Sequence, residues 1–443
     1  MKPETSTLTR NLSGMENSNS RFRTITSERL NETVYEYEHE TGLKVFYVRK
    51  TGYNKKTAMF GTNHGSIDNV FKVPGQDNEI EVPDGIAHFL EHKLFEQEDG
   101  NMLDKFSRLG SSPNAFTSFN QTVYYFSCTD LFEENFRMLL DYVQNPWLTD
   151  ENVEKEKGII GQEIQMYKDN ADWRVFFNLL DCLYVDHPVK LEIAGSLESI
   201  SKINKELLYD CYNTFYTPSN MVVTAVADLE PETIFSITDN MIKFKDRGKV
   251  EKKYPDEPEK LNKEFKEQKL HVSMPLFNMG IKDNVRAEGF ELLKRRAALS
   301  IVLYHAMGRS SDLYERLYSE RLINDSFRCE VSLNTGYGYL VWGGQSPDPE
   351  KTASIISETL REVASKGISP QTFSRIRKSQ EGLFIRSLNS VEIIAREMLD
   401  SYFIGTGLFD EVKVFEELDT DYVNKVAKEV LNNPSALSVV NPL

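Results

Sequence analysis

Two histidines and a glutamate lie close together in the segment His88-Phe89-Leu90-Glu91-His92. Residues three and four apart share one face of an α-helix, so His88, Glu91 and His92 would point in one direction if this segment were helical. Two imidazoles with this spacing can bind one divalent metal ion. The segment therefore predicts a metal site, with a carboxylate beside the metal that is not used as a ligand.

The order of these residues, H-x-x-E-H, is the reverse of the zinc-binding motif H-E-x-x-H. A Zn²⁺ ion held by three protein groups keeps an open position for water and lowers the pKa of that water towards ~7. Glu91 would then accept the proton of the water and pass it to a leaving amine. The alternative is a helix with two ordinary histidines, because the motif arises by chance in roughly one such chain per hundred.

A third ligand should come from a different element, and a helix expected near residues 150–168 offers one. At ~100° per residue, one narrow arc of this helix contains Val153, Glu156, Ile160, Glu163, Ile164 and Tyr167. Burying two carboxylates on an apolar face is costly without a cation or strong hydrogen bonds. We therefore predict Glu163 as the third ligand and Glu156 as a supporting group that orients a ligand or the water. Ion pairs with Lys or Arg from a neighbouring element are the alternative.

The elements that position these residues follow from the periodicity of the apolar residues, which predicts an α+β protein. The predicted strands are Thr33–Tyr37, Leu43–Val48, Thr57–Gly61, Thr122–Ser127, Met221–Val226 and Ala436–Val440. The predicted helices are Ile86–Phe95, Asn101–Leu109, Leu131–Gln144, Glu151–Lys168 and Pro231–Phe244. Asp84 is the expected N-cap of the helix that carries the histidines.

The chain divides into four predicted segments. Residues 1–27 are polar and form a flexible arm, and residues 28–242 form a domain that carries the metal motif. Residues 243–269 are a charged connector, and residues 270–443 form a second domain. Leu103–Phe126 and Leu313–Trp342 both run helix, polar turn, strand, which favours a diverged duplication.

The composition excludes several classes of partner. The 443 residues include 68 acidic and 52 basic side chains, and the net charge of -16 repels nucleic acid and anionic membranes. No apolar run approaches the ~18 residues of a membrane helix, and we find no signal sequence, so we expect a cytoplasmic protein. Four cysteines without a CxxC pair are interpreted as reduced residues of the core.

Several segments together carry a family resemblance. These are Asp84–His92, Asn114–Ser118, the Glu156 and Glu163 pair in EKEKGIIGQEI, Trp173-Arg174, Gly195 and Tyr216–Met221. They resemble the family of pitrilysin, insulin-degrading enzyme and mitochondrial processing peptidase, and in particular its small bacterial YmfH-like branch. The resemblance implies two homologous domains, each a mainly antiparallel sheet packed with helices.

The resemblance also implies a zinc metallo-endopeptidase that hydrolyses short unfolded peptides. One Zn²⁺ per chain would be bound by His88, His92 and Glu163, with Glu91 as the catalytic base and Glu156 in support. The peptide would bind as an added edge strand along Ser112, Asn114, Ala115 and Phe116. The presence of Pro113 agrees with such a role, because proline within a sheet suits only an edge strand.

One stretch departs from the family pattern. The second domain of the family usually supplies an Arg and a Tyr, seven apart, that hold the substrate carbonyl and stabilise the oxyanion. Here Tyr318 falls at the Arg position and Phe327 near the Tyr position, whereas Arg316 and Arg321 are out of register. Losing oxyanion donors costs about 100-fold to 1000-fold in rate. We therefore expect a heterodimer in which a related subunit without the zinc motif brings these groups, and a homodimer remains an alternative.

Two other functions compete with peptide hydrolysis. The first is a noncatalytic peptide-binding or scaffold subunit with a vestigial zinc site. Structural zinc sites usually have four protein ligands, so a free Glu91 argues against it. The second is a lyase that acts on a small metabolite, which fits poorly with the chain length and with the edge-strand segment.

Overall fold

The computed structural model describes residues 22–284 and 287–443, and two large β-sheets organise these residues. The strands of the first half are β1 (Arg23–Ser27), β2 (Glu32–Glu38), β3 (Lys44–Arg49), β4 (Lys56–Thr62), β5 (Val70–Lys72), β6 (Glu79–Glu81), β7 (Glu96–Gln97), β8 (Gly100–Asn101), β9 (Ser112–Thr117), β10 (Thr122–Cys128) and β11 (Met221–Ala227). Its helices are α1 (Ile86–Leu94), α2 (Met102–Arg108), α3 (Phe132–Gln144), α4 (Asp150–Asp169), α5 (Ala171–Leu183), α6 (Leu197–Ser201), α7 (Lys205–Phe215) and α8 (Pro231–Met241).

The second half has fewer strands and longer helices. Its strands are β12 (Phe265–Leu270), β13 (Leu276–Lys282), β14 (Arg328–Asn334), β15 (Tyr337–Gln345) and β16 (Ser435–Pro442). Its helices are α9 (Gly289–Met307), α10 (Asp312–Ser319), α11 (Pro349–Lys366), α12 (Pro370–Ser387), α13 (Val391–Phe403), α14 (Asp410–Glu417) and α15 (Thr420–Leu431).

The five strands of the second sheet have the same topology as the last five strands in the order of the first sheet. The first has the strand order β1-β2-β3-β11-β4-β10-β9, and the second has the order β12-β16-β13-β15-β14. In each sheet one pair is parallel, β3 with β11 and β12 with β16, and the pairs that follow it in the order are antiparallel. Helix α2 precedes the β9-β10 edge as α10 precedes the β14-β15 edge. The predicted duplication and the α+β class are therefore confirmed.

One helix from each half packs on the sheet of the other half. Helix α13 packs on β4 and β11 of the first sheet, and α5 packs on β13 and β16 of the second. A Cβ on Gly61 of β4 would lie 2.7 Å from Cδ1 of Leu399 on α13, and a Cβ on Gly280 of β13 would lie 3.0 Å from Cδ2 of Leu179 on α5. The missing side chain at each glycine allows the helix to approach the strand. The two halves are thus joined by the same exchange in both directions.

The other face of each sheet carries its own helices. In the first half, residues of α1, α3, α4, α7 and α8 form a buried apolar cluster with the strands. In the second half, α9, α10, α11 and α15 do the same. The helix that carries the histidine motif therefore lies on the face of the first sheet that is opposite to α13.

Most predicted elements occur where the periodicity placed them. The predicted helices Ile86–Phe95 and Glu151–Lys168 correspond to α1 and α4. The predicted strands Thr122–Ser127 and Ala436–Val440 lie within β10 and β16.

The predicted segment boundaries differ from the structure at two places. Residues 1–21 of the expected arm lie outside the described residues, whereas residues 23–27 form β1 and pair with β2. At the end of the expected connector, Phe265–Leu270 form β12, which pairs in parallel with β16. Side chains of β12 alternate between exposed and half-buried, because it is an edge strand, and its high charge therefore resembles that of a loop.

None of the helices in the described ranges has the length and apolar character needed to cross a membrane. The four cysteines, Cys128, Cys182, Cys211 and Cys329, form no disulfide. The first three are buried and Cys329 is half-buried, so the interpretation as reduced core residues holds best for the first three.

Candidate metal centre

Two glycines fix the start of the helix that carries the histidines. Gly85 is the N-cap of α1 and has a left-handed φ of 88°, and its Cβ would lie 2.4 Å from the carbonyl oxygen of Ala194. Gly195 also has a positive φ, and its Cβ would lie 2.4 Å from the carbonyl oxygen of Asp84. The two chain segments cross at these glycines, so no side chain fits at either position.

The prediction that Asp84 caps α1 is therefore wrong. Gly85 takes the N-cap position, and in the described ranges no side-chain hydrogen bond caps this helix end. The Asp84 carboxylate instead accepts a hydrogen bond from Asn69 Nδ2 at 2.5 Å. Sequence rules favour Asp over Gly at an N-cap, but here the close crossing of two segments decides which residue occupies it.

His88, His92 and Glu163 meet at one point between α1 and α4. The Nε2 atom of His88 lies 3.7 Å from Glu163 Oε1, and the Nε2 atom of His92 lies 3.5 Å from Glu163 Oε2. One donor atom from each of the three residues lies within 4.8 Å of the others. Ligand atoms at ordinary Zn–N and Zn–O distances around a tetrahedral ion are about 3.4 Å apart. The donor types and the spacing both fit such an ion.

Glu156 contacts the other nitrogen of the His92 ring. Its Oε1 lies 3.1 Å from His92 Nδ1, and the ammonium of Lys93 lies 3.6 Å from its Oε2. Burial raises the pKa of Glu156, but the hydrogen bond with His92 and the charge of Lys93 outweigh burial, so the pKa is lowered. The ionised carboxylate holds the proton on Nδ1, which leaves the Nε2 lone pair of His92 free to bind a metal.

The electrostatics keep His88 neutral. Burial lowers the pKa of His88 to about 3, and the neighbouring His92 adds to the effect. Neutral imidazole is the form that binds metal. For His92, burial also lowers the pKa, but Glu156 and Glu91 outweigh it and raise the pKa.

Glu91 lies beside the three donor groups without joining them. It is 8% exposed, and the hydroxyl of Thr117 on β9 donates to its Oε2 at 2.7 Å. Burial raises the pKa of Glu91, and the hydrogen bond from Thr117 offsets part of this effect. A buried carboxylate with a raised pKa and one oxygen held in place is suited to accept a proton near neutral pH.

Three partners of the site were not assigned a role from the sequence. The hydroxyl of Tyr167 donates to Glu163 Oε1 at 2.6 Å, and the Tyr167 ring stacks on Trp173. Thr117 holds Glu91, and the fully buried Lys93 lies beside Glu156. Of these three residues, only Tyr167 could have been recognised from the sequence as a partner of the site, because it lies four residues after Glu163 on the same face of α4.

The segment predicted to bind a peptide forms the last strand of the first sheet. Strand β9 pairs with β10 on one side, and its outer side pairs with no other strand that the structure describes. Ser112 and Asn114 are exposed, whereas Ala115 and Phe116 are half-buried. The N–H of Ala115 donates to Asn114 Oδ1 at 2.9 Å. An open strand edge therefore lies directly beside the candidate metal centre.

Two cavities surround the centre. A cavity of about 220 Å³ is lined by His88, Glu163, Phe116 and Tyr167 among others. A larger cavity of about 580 Å³ lies beyond Glu91 and His92, and its apolar wall consists of Phe95, Leu103, Trp147 and Ile159. Among the described residues, those that line both cavities all belong to the first half. The second half therefore does not enclose the site on these sides.

The residues that depart from the family pattern lie outside both cavities. Tyr318 is 48% exposed at the end of α10, and Phe327 is buried. Arg316 pairs with Glu320, and Arg321 has a left-handed φ of 58° in the turn after α10. None of these four departing residues lines either cavity.

Comparisons with known proteins extend these observations. The family described as insulinase (peptidase family M16) matches residues 74–196, and the family described as peptidase M16 inactive domain matches residues 202–380. The chain is 42% identical over 412 residues to a protein of Bacillus subtilis named uncharacterized zinc protease YmfH, covering 92% of this chain and 96% of that protein.

Two further similarities concern a more distant relative and a solved structure. Over 193 residues the chain is 29% identical to the beta subunit of the mitochondrial-processing peptidase of Caenorhabditis elegans, covering 42% of each chain. The structure of a putative M16-like peptidase from Alicyclobacillus acidocaldarius superposes with a TM-score of 0.91 at 34% identity, covering 94% of this chain and 100% of that chain.

Proposed function

This chain belongs to peptidase family M16, and on that premise we propose that it is a zinc-dependent endopeptidase that hydrolyses short unfolded peptides. One observation carries the proposal: the Nε2 atoms of His88 and His92 and the carboxylate of Glu163 converge, with Glu91 beside them. That relatives are named zinc proteases supports the choice of metal.

The residues of this chain perform distinct tasks in the proposed reaction. His88, His92 and Glu163 would hold the zinc ion, which would supply the Lewis acid that activates water and polarises the peptide carbonyl. Glu91 accepts a proton from the attacking water while Thr117 holds its Oε2. The water oxygen bonds to the carbonyl carbon, the C–N bond breaks, and Glu91 returns the proton to the leaving nitrogen.

Strand β9 aligns the substrate in this proposal. A peptide that adds to the open edge forms backbone hydrogen bonds with β9 and needs no particular sequence for them. The Asn114 side chain, which now accepts from the Ala115 N–H, would be replaced by a substrate carbonyl. Because only extended chains can pair in this way, unfolded peptides fit the site better than folded proteins.

We also propose that a related subunit completes the active site. The cavities at the centre are lined by the first half alone, and Tyr318 and Phe327 stand where an Arg and a Tyr are expected. A more distant relative is named as a subunit. Mixing the purified chain with a candidate related subunit that lacks H-x-x-E-H should raise cleavage about 100-fold or more. Full activity of the isolated chain would contradict this requirement, and a homodimer would appear as activity that rises with the concentration of the chain.

The proposed function is tested by the variant Glu91→Gln. Cleavage of an unstructured peptide library is followed by mass spectrometry, and zinc content is measured by elemental analysis on the same samples. We expect the variant to keep one zinc per chain and to lose cleavage, because Gln cannot accept the proton. Chelation should abolish cleavage by the unmodified chain, and added Zn²⁺ should restore it.

Glu154→Gln is a matched control, because Glu154 lies on the exposed side of α4 and, among the residues that the structure describes, pairs only with Lys157. Its cleavage and zinc content should equal those of the unmodified chain. Turnover that survives Glu91→Gln would show that the base is another group. A zinc-free chain that still cleaves peptides would contradict the proposal as a whole.

A further inference from the structure

The two faces of β9 look towards different parts of the molecule. Thr117 and Ala115 face α1, since Thr117 binds Glu91 and Ala115 packs against the apolar cluster of that side. Phe116 packs instead against the cluster formed with α13 of the second half. A peptide paired with β9 has the same alternation, so every second side chain points away from the metal and towards α13.

Arg396 of α13 meets β9 on this second face. Its guanidinium carbon lies 4.5 Å from the centre of the Phe116 ring, and its side chain is 53% exposed. The nearest carboxylate oxygen, Oδ2 of Asp400, lies 3.6 Å from its Nε. The guanidinium makes no hydrogen bond with any residue in the described part of the chain. Stacking thus holds a cation at the edge where the peptide would lie, with hydrogen-bond donors open to solvent.

Two acidic groups of α13 near Arg396 are already engaged. Asp400 Oδ1 accepts a hydrogen bond from Gln121 Nε2 at 2.6 Å. Glu392, one turn before Arg396 on α13, accepts a hydrogen bond from Ser127 Oγ at 3.1 Å and pairs with Lys55. Both carboxylates therefore have partners other than Arg396.

We propose that Arg396 is a specificity-determining residue that selects Asp or Glu at the substrate position opposite Phe116. The inference rests on the proposed function, because it requires a peptide added to β9. Side chains opposite each other across paired strands lie about 5 Å apart, which is within reach of a guanidinium fork and a carboxylate. Helix α13 belongs to the second half and packs on the first sheet. The second half would thus take part in substrate selection as well as in stabilising the fold.

The test uses a positional-scanning set of otherwise identical peptides that carry Glu, Gln or Lys at each position in turn. The unmodified chain should favour Glu over Gln at one position by roughly threefold to tenfold in kcat/KM, mostly through KM. Arg396→Gln should abolish this preference, and Arg396→Glu should shift it to Lys. The preference should also shrink as salt is raised, because the pair is partly exposed.

A matched control is Arg361→Glu, a charge reversal at an exposed position of α11. It should leave the positional profile unchanged. An unchanged profile in Arg396→Gln and Arg396→Glu, or an equal change in Arg361→Glu, would overturn the inference.

Binding separates this inference from the proposed function. The dissociation constants of the same peptides are measured by fluorescence anisotropy with the Glu91→Gln chain, alone and with Arg396→Glu. A preference for Glu that changes to Lys supports the role of Arg396 even if the unmodified chain hydrolyses none of the peptides. Equal affinities for the Glu and Lys peptides overturn that role even if hydrolysis is efficient.

Discussion

Glu156 Oε1 lies 3.1 Å from Nδ1 of His92, on the opposite side of the imidazole ring from the Nε2 atom that faces Glu163. Glu156 and Glu163 lie two turns apart on α4, and their carboxylates face opposite sides of the His92 ring. Helix α4 therefore supplies one group to the candidate metal centre and a second group that orients His92 within it.

Substitution Glu156→Gln tests the orienting role. Gln keeps the shape but removes the charge that favours a proton on Nδ1 of His92, so we expect zinc affinity to fall about 10-fold to 100-fold. Zinc affinity is measured by competition with a chromogenic chelator. Glu154→Gln, on the exposed side of α4, should bind zinc normally. An unchanged affinity in Glu156→Gln would mean that packing alone holds the His92 ring.

Substitution Thr117→Val tests how Glu91 is held. Val has nearly the same shape as Thr but cannot donate to Glu91 Oε2, and burial already raises the pKa of Glu91. The pKa should rise further, so kcat should fall roughly tenfold at neutral pH and the acid limb of the pH profile should move to higher pH. Thr117→Ser keeps the hydroxyl and should retain most activity. A pH profile that does not move would show that the hydroxyl is not needed.

The helical parts of the candidate centre could be predicted because helix geometry is local. The spacing of His88 and His92, and that of Glu156 and Glu163, fixes their faces once each segment is helical. Contacts between elements were harder to predict. That Thr117 reaches Glu91 depends on how β9 docks against α1, which no local pattern encodes.

The same difference between local patterns and contacts between elements applies to the fold. Neither α5 nor α13 was among the predicted helices, and apolar periodicity alone does not tell which sheet a helix will cover. The exchange of these helices depends on small residues at single positions of the partner strands, Gly61 and Gly280, and a lone glycine in a strand has several possible causes. For this reason the contact of Arg396 with Phe116 was not predicted.

The packing of Leu399 on Gly61 should couple the two positions energetically. Leu399→Ala opens a cavity in a fully buried site and should lower the free energy of unfolding by about 2–5 kcal/mol. Gly61→Ala should also destabilise, because its Cβ would lie 2.7 Å from Leu399 Cδ1. The double variant should lose less stability than the sum of the two, since the new methyl group enters the vacated space. Urea unfolding of the three variants measures the coupling, and strict additivity would contradict direct packing.

Glu397 of α13 should make stability depend on pH. Burial, and then the charge of Asp400, raises its pKa from 4.5 to about 7, with Glu411 adding to this and Arg296 and Arg396 opposing it. As pH rises from about 4.5 to about 7, the unfolded chain ionises this group while the folded chain keeps the proton, so its contribution to stability is lost over that range.

Glu397→Gln removes this cost of ionisation, and its effect should depend on pH. At pH 8 the variant should be more stable than the unmodified chain by about 1–3 kcal/mol, whereas at pH 5 the two should differ little, because Glu397 is protonated in the folded state there. The difference in melting temperature between variant and unmodified chain, measured at both values of pH, isolates this group from the other carboxylates. Glu358→Gln, at an exposed position of α11, should show no such difference. Equal effects of Glu397→Gln at pH 5 and pH 8 would mean that Glu397 ionises as freely in the folded chain as in the unfolded one.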